Sequence, residues 1–483
     1  MNGVSLEETP LNPPLVVDLD GTLVRSDLLV ESGFAFLRHQ PRRAFALLRW
    51  LAAGKANLKQ RLASEVPLDV TFIPYEPLVV DFLGKEKAEG RPLILATSTH
   101  QRYADDIAAH LGLFDRVLAT NGHTNLSARA KRDVLVSAFG EKGFDYVGNS
   151  RDDLAVWAAA RKSHLANPEI GVAARAARFR NVEQVIRSSG KPWRAWMRQL
   201  RLHQWTKNLL IFVPLLAAHK IAEFDVLFSG VLAFLLFSMC ASSVYLLNDL
   251  LDLEDDRQHP SKRYRPLASG TVSIKTALLA MPALLLGAFA GAIGFMPWKF
   301  WLALGSYYGL TLAYSLVLKR VMMLDVITLA MLYTLRLIAG AFAFQLSLTF
   351  WILAFSMFMF LSLALVKRYA ELREERSNGK TERTKGRGYY PGDLEMISSL
   401  GAASGYLAVM VLALYVQEPA TAILYRHPRV IWLACPVLLY WISHTWLLAH
   451  RGQMHDDPVV FAMKDRFSLL LGVLFGAIFW FAT

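Results

Sequence analysis

Cysteine is nearly absent. The chain has two in 483 residues, Cys240 and Cys435, both inside long apolar stretches. Neither a disulfide framework nor a thiolate zinc site is expected from them; buried thiols are. A signal-peptide pattern is not read at Met1 to Pro14, which is polar and carries two glutamates before the first apolar run. The N-terminal part is therefore expected to stay in the cytoplasm, where it is made. Acidic residues are the scarcer charge, 40 against 52 Lys and Arg, for a net charge of +12. Such an excess suits nucleic acid, anionic lipid or an anionic substrate, and its distribution has to choose among them. What abounds is apolar character, 54% of residues, yet 19% are charged. That is more apolar than the roughly 45–50% of soluble domains, so the chain reads as a mixture of two kinds of domain.

The mixture separates along the chain. Up to about residue 185, short apolar runs such as Leu15 to Asp18, Pro92 to Thr97 and Tyr146 to Gly148 alternate with helical segments, the pattern of a parallel α/β domain. Between Arg25 and Gly90 the sequence turns helical and basic, which predicts a helical insertion over the mouth of the sheet. Ser188-Ser189-Gly190-Lys191-Pro192 breaks the periodicity. After it, Trp193, Arg194, Trp196, Arg198, Arg201 and Trp205 suit a helix at headgroup level. The reading is a domain over 1–187, a linker and interfacial helix over 188–201, and a membrane domain over 202–483. In that last part, about nine apolar segments approach the roughly 20 residues a bilayer requires, centred on Phe212, Leu235, Leu284, Ser306, Ala330, Met357, Leu407, Val437 and Val473. Connections 248–275, 318–320, 367–394 and 450–466 hold 18 Lys and Arg, against 4 in 216–225, 291–300, 342–350 and 414–430. The positive-inside rule makes the first group cytoplasmic, on the side of the N-terminal domain. Topology accounts for the basic excess, and nucleic acid is not needed as a partner.

Asp18-Leu19-Asp20-Gly21-Thr22-Leu23 follows the apolar run Leu15-Val16-Val17, which puts two carboxylates where a strand enters a glycine turn. Downstream come Thr97 after Leu93-Ile94-Leu95-Ala96, Lys131, and Gly148-Asn149-Ser150-Arg151-Asp152-Asp153 after Tyr146-Val147. In that order and spacing, these pieces resemble the four motifs of the haloacid dehalogenase superfamily across the first 185 residues. The resemblance implies a Rossmann-like α/β phosphatase with a helical cap. Asp18 would attack phosphorus, and Asp20 would protonate the leaving oxygen and then activate water. Thr97 and Lys131 would hold phosphoryl oxygens, with Mg²⁺ among Asp18, Asp20, Asn149 and Asp153. Asn149 departs from the superfamily, where aspartate is usual, and the lost charge should lower Mg²⁺ affinity.

A second acidic motif stands at the end of the second apolar segment: Asn248-Asp249-Leu250-Leu251-Asp252-Leu253-Glu254-Asp255-Asp256. Asn248, Asp252 and Asp256 recur every four residues, one helical turn apart, and hard oxygen ligands so spaced suit Mg²⁺ on substrate phosphates. An ionisable cluster beginning inside an apolar helix is costly unless it serves a function. His259-Pro260-Ser261-Lys262-Arg263-Tyr264-Arg265 follows with cations for further anionic oxygens. The run Asn248 to Gly270 resembles the first signature of UbiA-type transferases. More narrowly, with Trp205-Thr206-Lys207-Asn208, it resembles the branch that moves a phosphoribosyl group from phosphoribosyl diphosphate to a polyprenyl phosphate. That implies an all-α membrane bundle. Aromatic prenyltransferases of the superfamily carry a second pair of aspartates four apart. Here Asp325 in the Tyr314 to Leu329 region has Leu329 at that place. Lys207, Lys262, Arg265, Lys319 and Arg336 are the candidate phosphate-binding cations, and Asn208, Tyr314 and Asp325 further candidate site residues. Lys319 and Arg320 equally suit positive-inside anchoring. Lys367 to Asp393 is expected to be a solvated connector.

The functional expectation is Mg²⁺-dependent phosphoribosyl transfer to a polyprenyl phosphate in the cytoplasmic membrane, followed by dephosphorylation of the lipid by the N-terminal domain. A prenyltransferase with a regulatory or inactive phosphatase-like domain is the alternative, and a scaffold or transporter needs no metal-spaced acid cluster. The oligomeric state, the isoprenoid length and the downstream glycolipid are not legible.

Overall fold

The computed structural model describes residues 12–121, 126–188, 192–219, 224–384, 387–418, 425–454 and 457–483. Most of the polar start Met1 to Pro14 and the break Ser189-Gly190-Lys191 lie outside them. The chain packs as two compact units: Met1–Leu200 with Leu246–Ala280, and Arg201–Tyr245 with Met281–Thr483.

In the first unit, β1 (Leu15–Val17), β2 (Leu93–His100), β3 (Arg116–Thr120), β4 (Asp145–Gly148), β5 (Ser163–Ala166) and β6 (Val182–Ile186) form one sheet in the order β3-β2-β1-β4-β5-β6. Every pairing is parallel. The register, Val16 opposite Ile94 and Tyr146, explains the unbroken apolar runs, because strands covered on both faces need no polar alternation. Leu15 and Val17 enter one core and Val16 the other, as a two-residue period requires.

The predicted helical insertion is α1 (Leu28–His39), α2 (Ala44–Ala52) and α3 (Lys55–Glu65), held by a small core of Phe36, Trp50, Leu62 and Val66. It is shorter than the stretch Arg25 to Gly90. Helix α4 (Pro77–Ala88) instead buries Val79 and Leu83 in the core that contains Leu15 and Val17, so it belongs to the sheet layers. The sheet is completed by α5 (Gln101–Leu111), α6 (Ala128–Phe139), α7 (Leu154–Ala159) and α8 (Val172–Ala176), and α9 (Pro192–Gln199) follows.

In the second unit, Leu202–Phe212 is a 3-10 run that leads into the short α10 (Val213–Ala217). After it come α11 (Phe224–Leu251), α12 (Leu253–Gln258), α13 (Ile274–Phe295), α14 (Trp298–Leu316), α15 (Leu324–Ala343), α16 (Phe350–Ser377), α17 (Leu394–Gln417), α18 (Ala434–Arg451), α19 (Pro458–Lys464) and α20 (Arg466–Ala482). The last turns of α11, all of α12 and the start of α13 belong to the first unit. The core of the second unit is small and aromatic side chains, among them Ala233, Phe237, Ala288, Phe300, Tyr307 and Ala339.

Among the described residues, six helices are long and apolar enough to cross a membrane, or seven if α19 and α20, bent by 84°, make one span. Nine is therefore not reached. The segment at Phe212 is a 3-10 run with Lys207 and Asn208 buried in it, and α14 is diluted by Ser306, Tyr307, Tyr308, Thr311 and Ser315. Asp465 ends α19 and caps α20 by accepting from Ser468 N–H, which sets the bend. The expected connector from Lys367 also differs: α16 continues to Ser377, and Arg368 within it is buried.

Candidate functional site

The soluble site lies at the carboxyl ends of β1, β2 and β4, where strand order reverses and open α/β sheets leave a crevice. Asp18 directly follows β1. The next turn closes as Gly21 N–H donates to the Val24 and Ser26 carbonyls at 2.7 and 3.1 Å. Gly21 has φ +78°, and a Cβ there would lie 2.3 Å from Asn149 Nδ2, so only glycine lets the amide sit against the turn. Thr22 Oγ1 donates to Asn149 Oδ1 at 3.3 Å.

Lys131 Nζ donates to Asp18 Oδ1 at 2.6 Å and to the Tyr146 hydroxyl at 3.0 Å, and lies 3.8 Å from Asp153 Oδ1. Asp153 Oδ2 accepts from Asn149 N–H, Ser150 N–H and Ser150 Oγ at 3.0, 2.9 and 3.0 Å, which shapes the loop after β4. Asp20 Oδ1 accepts from Leu28 N–H at 3.0 Å and Oδ2 from Thr99 Oγ1 at 2.5 Å. Thr97 is fully buried, its Oγ1 accepting from Thr99 N–H at 3.0 Å. The fold thus gathers Asp18, Asp20, Thr97, Lys131, Asn149 and Asp153 around one crevice.

Burial pushes the Asp18 carboxyl up to about 7, with Lys131 offsetting part of the rise and Asp153 adding to it. Burial and then Asp27 push Asp20 up to about 6, where a carboxyl gives and takes protons readily near neutrality. Such crowding of buried carboxylates favours a cation, and the oxygen donors of Asp18, Asn149 and Asp153 are of the hard kind Mg²⁺ takes. Among the described residues no three His, Cys, Asp or Glu side chains are arranged around one metal position. The amide of Asn149 and the loop hydrogen bonds of Asp153 account for that here. Lys59, on α3, stands in no motif that would mark it in the sequence. It is buried, and its Nζ donates to the Ser98 carbonyl at 2.5 Å beside Thr99.

The acidic motif breaks its helix yet keeps its spacing. Asp252 lies between α11 and α12, but Asp252 N–H still donates to the Asn248 carbonyl and Asp256 N–H to the Asp252 carbonyl, both at 2.9 Å. Asn248 and Asp252 are half-buried and Asp256 is buried. Arg265 Nη1 donates to Asp256 Oδ2 at 2.6 Å and to Asp249 Oδ1 at 3.3 Å. Burial lifts the Asp256 carboxyl above its ordinary range, with Arg265 offsetting part of the rise. Lys262 is exposed on a 3-10 turn, Lys262–Tyr264. Asp249 received no role in the sequence, although it is anchored by Gln199 Nε2 at 2.8 Å. The donor set is again oxygen only, fit for Mg²⁺ bound to phosphates.

In the second unit, Arg336 is buried, with Nε donating to Asn208 Oδ1 at 2.9 Å and Nη2 to the Tyr307 hydroxyl at 3.2 Å. Its guanidinium lies 5.7, 5.0 and 5.2 Å from the rings of Phe237, Tyr307 and Tyr333. Lys207 and Lys367 both reach Asp457 Oδ2, at 2.8 and 3.2 Å, and the Tyr333 hydroxyl donates to Asp457 Oδ1 at 3.1 Å. Asp457 went unremarked, although an aspartate before Pro458 is a helix N-cap signal, and it does cap α19. Lys319 is half-buried in the turn Leu318–Arg320, and the Tyr314 hydroxyl accepts from Arg387 at 3.2 Å.

Asp325 is fully buried, 2.7 Å from Arg368 Nη2 and bonded by the Tyr389 hydroxyl. Asp325→Ala is expected to destabilise the protein by about 3–5 kcal/mol, because it strands the Arg368 charge. Thermal unfolding in detergent measures it, and a midpoint equal to wild type would show that the pair bears no load.

The UbiA prenyltransferase family profile matches residues 209–471, and that of haloacid dehalogenase-like hydrolases matches residues 15–156. An uncharacterized protein y4nM of Sinorhizobium fredii is 37% identical over 96% of this chain and 90% of its own. The nodulation protein NoeC of Azorhizobium caulinodans is 37% identical over 60% of this chain and 94% of its own. Decaprenyl-phosphate phosphoribosyltransferase of Mycobacterium tuberculosis is 30% identical over 59% of this chain and 92% of its own. The chain belongs to the UbiA prenyltransferase family and carries a haloacid dehalogenase-like domain at its N-terminus.

Proposed function

We propose that this protein transfers a 5-phosphoribosyl group from phosphoribosyl diphosphate to a polyprenyl phosphate and then removes the terminal phosphate. The observation that carries the reading is the oxygen set Asn248, Asp252 and Asp256, kept one turn apart through the helix break. The similarity to decaprenyl-phosphate phosphoribosyltransferases supports the choice of substrate. Asn248, Asp252 and Asp256 would hold Mg²⁺, which when bound neutralises the leaving diphosphate. Lys262 and Arg265 follow in sequence as donors to phosphate oxygens, and Lys207, Lys319 and Arg336 are assigned the same role. The C1–oxygen bond to diphosphate breaks with its electron pair leaving on oxygen, and an oxygen of the lipid phosphate bonds to C1. The acceptor is already anionic at neutral pH, so no general base is required.

In the soluble site, an Asp18 oxygen attacks the terminal phosphorus while Asp20 gives its proton to the departing ribose oxygen. Asp20 then takes a proton from the water that hydrolyses the aspartyl-phosphate, releasing orthophosphate. Mg²⁺ would be held by Asp18, Asn149 and Asp153 and would offset phosphoryl charge. Both sites are assigned to the cytoplasmic face of the inner membrane, over domains 1–187 and 202–483 with a linker at 188–201.

Label tracing tests the transfer. Phosphoribosyl diphosphate labelled in ribose is expected to label the lipid, whereas the same substrate labelled in its diphosphate is expected to label only released diphosphate. Consumption of a polyprenyl diphosphate with an aromatic acceptor would replace this reading by prenyl transfer.

A further inference from the structure

The first unit contains a buried ion pair that neither proposed reaction uses. Arg257, next to Asp256, donates through Nη1 and Nη2 to Glu31 of α1 at 2.7 and 2.5 Å, and through Nε to the Ala268 carbonyl at 3.1 Å. The side chains are only 7 and 5% exposed, and Ser26 also bonds Glu31. A bidentate, desolvated pair of this kind fixes geometry, because either charge alone would be stranded. Close by, Lys275 meets Asp27 at 3.2 Å. Gly270, at φ +69°, passes so near Arg25 that a Cβ would lie 2.7 Å from its carbonyl oxygen. The start of helix α1 is therefore clamped to the segment that follows the acidic motif. Its first residue, Leu28, binds Asp20 of the phosphatase site.

At the other end of α1 stands Arg38. Its Nη2 is bonded to Asp255. Its Nη1 is buried with no hydrogen-bond partner among the described residues, 3.9 Å from Asp252 Oδ1. A cavity of about 40 Å³ adjoins it, lined by Glu31, Arg38, Leu250, Glu254 and Arg257 among others. A buried donor without an acceptor calls for an explanation, and guanidinium is the side chain whose fork matches phosphate oxygens.

We infer that Arg38 is a diphosphate-binding residue of the transferase, supplied by the N-terminal domain. Without substrate, the guanidinium balances the charge of Asp252 and Asp255. With Asp252 engaged by the substrate's metal, Nη1 donates to a diphosphate oxygen. The inference rests on the assignment of Asp252 and Asp256 to that substrate. It also gives the fusion a physical reason, since one helix of 12 residues carries Leu28, which binds Asp20, at one end and Arg38 at the other.

Arg38→Gln in the full-length, detergent-solubilised chain tests it through two bindings of opposite expected sign. Mn²⁺ alone, followed by electron paramagnetic resonance, is expected to bind about threefold tighter, because a competing cation is gone. Inorganic diphosphate with Mg²⁺, followed by calorimetry, is expected to bind about tenfold more weakly, the loss of one charged hydrogen bond, and Arg38→Lys to recover part of it. Both affinities falling together, or neither changing, would show that Arg38 serves only the clamp and would overturn the proposal. Asp252→Asn separates the two assignments. If it abolishes binding of Mg²⁺ with diphosphate while Arg38→Gln leaves that binding intact, Arg38 alone is misassigned. If it changes nothing, the acidic motif is misassigned and Arg38 falls with it.

Discussion

Asp252→Asn and Asp256→Asn are each expected to lower transfer of ribose label to polyprenyl phosphate by at least about a hundredfold, with the fold intact. Each substitution removes one negative charge from the proposed metal site, and the electrostatic contribution of such a site to phosphate chemistry is worth several kcal/mol, where every 1.36 kcal/mol is a factor of ten. The two variants should differ in stability. Asp256 is buried against Arg265 at 2.6 Å, whereas Asp252 is half-buried at the helix break. Asn at 256 leaves the Arg265 guanidinium with Asp249 alone, at 3.3 Å, and is expected to lower the unfolding midpoint more. Initial rates, with detergent thermal scans alongside, decide the case. Turnover that survives in both variants, or that ignores EDTA, would remove the acidic motif from the mechanism.

Asp18→Asn should change the product and spare the transfer. Wild type is expected to yield a ribosyl phosphate lipid that has lost its terminal phosphate, and the variant to accumulate the phosphoribosyl lipid. In the proposed hydrolysis the carboxylate is the nucleophile, and an amide leaves Lys131 and Tyr146 in place while forming no aspartyl-phosphate. The expected fall in hydrolysis is about a thousandfold or more, by analogy with removal of other covalent nucleophiles. Mass spectrometry of the extracted lipid reads it directly. If wild type itself accumulates only the phosphorylated lipid, Asn149 marks a domain that has ceased to hydrolyse.

The candidate residues of the soluble site could be named from the sequence because most of them sit at strand ends. An apolar run followed by a short acidic turn marks Asp18 and Asp20, Asn149 likewise follows β4, and Thr97 follows the apolar run that opens β2. The sequence could not assign α4 correctly. Its helical pattern matches the cap helices, and only the burial of Val79 and Leu83 against the sheet core separates them. Lys59 was equally hidden, since its value lies in what it reaches across the crevice.

In the apolar half, hydropathy located the long helices, and six or seven of the nine expected spans are met by length and composition among the described residues. The segment at Phe212 has the composition of a span, yet buried Lys207 and Asn208 need partners that a straight lipid-facing helix would deny them, and a 3-10 run leads instead into α10. Asp325 was singled out for the partner it lacks four residues on. Its actual partner, Arg368, is 43 residues away, in a stretch that charge content alone marked as solvated.

By itself the sequence determined the two-part organisation, the family and which oxygen and cation donors are candidates, since these depend on residue type and on spacings of two or four along the chain. Tertiary structure decided which charges are spent on one another. Asp325 with Arg368, Asp457 with Lys207 and Lys367, and Glu31 with Arg257 are pairs between distant segments. Burial makes each charge costly alone and so forces the pairing, but burial is a property of the packed chain that no local spacing encodes.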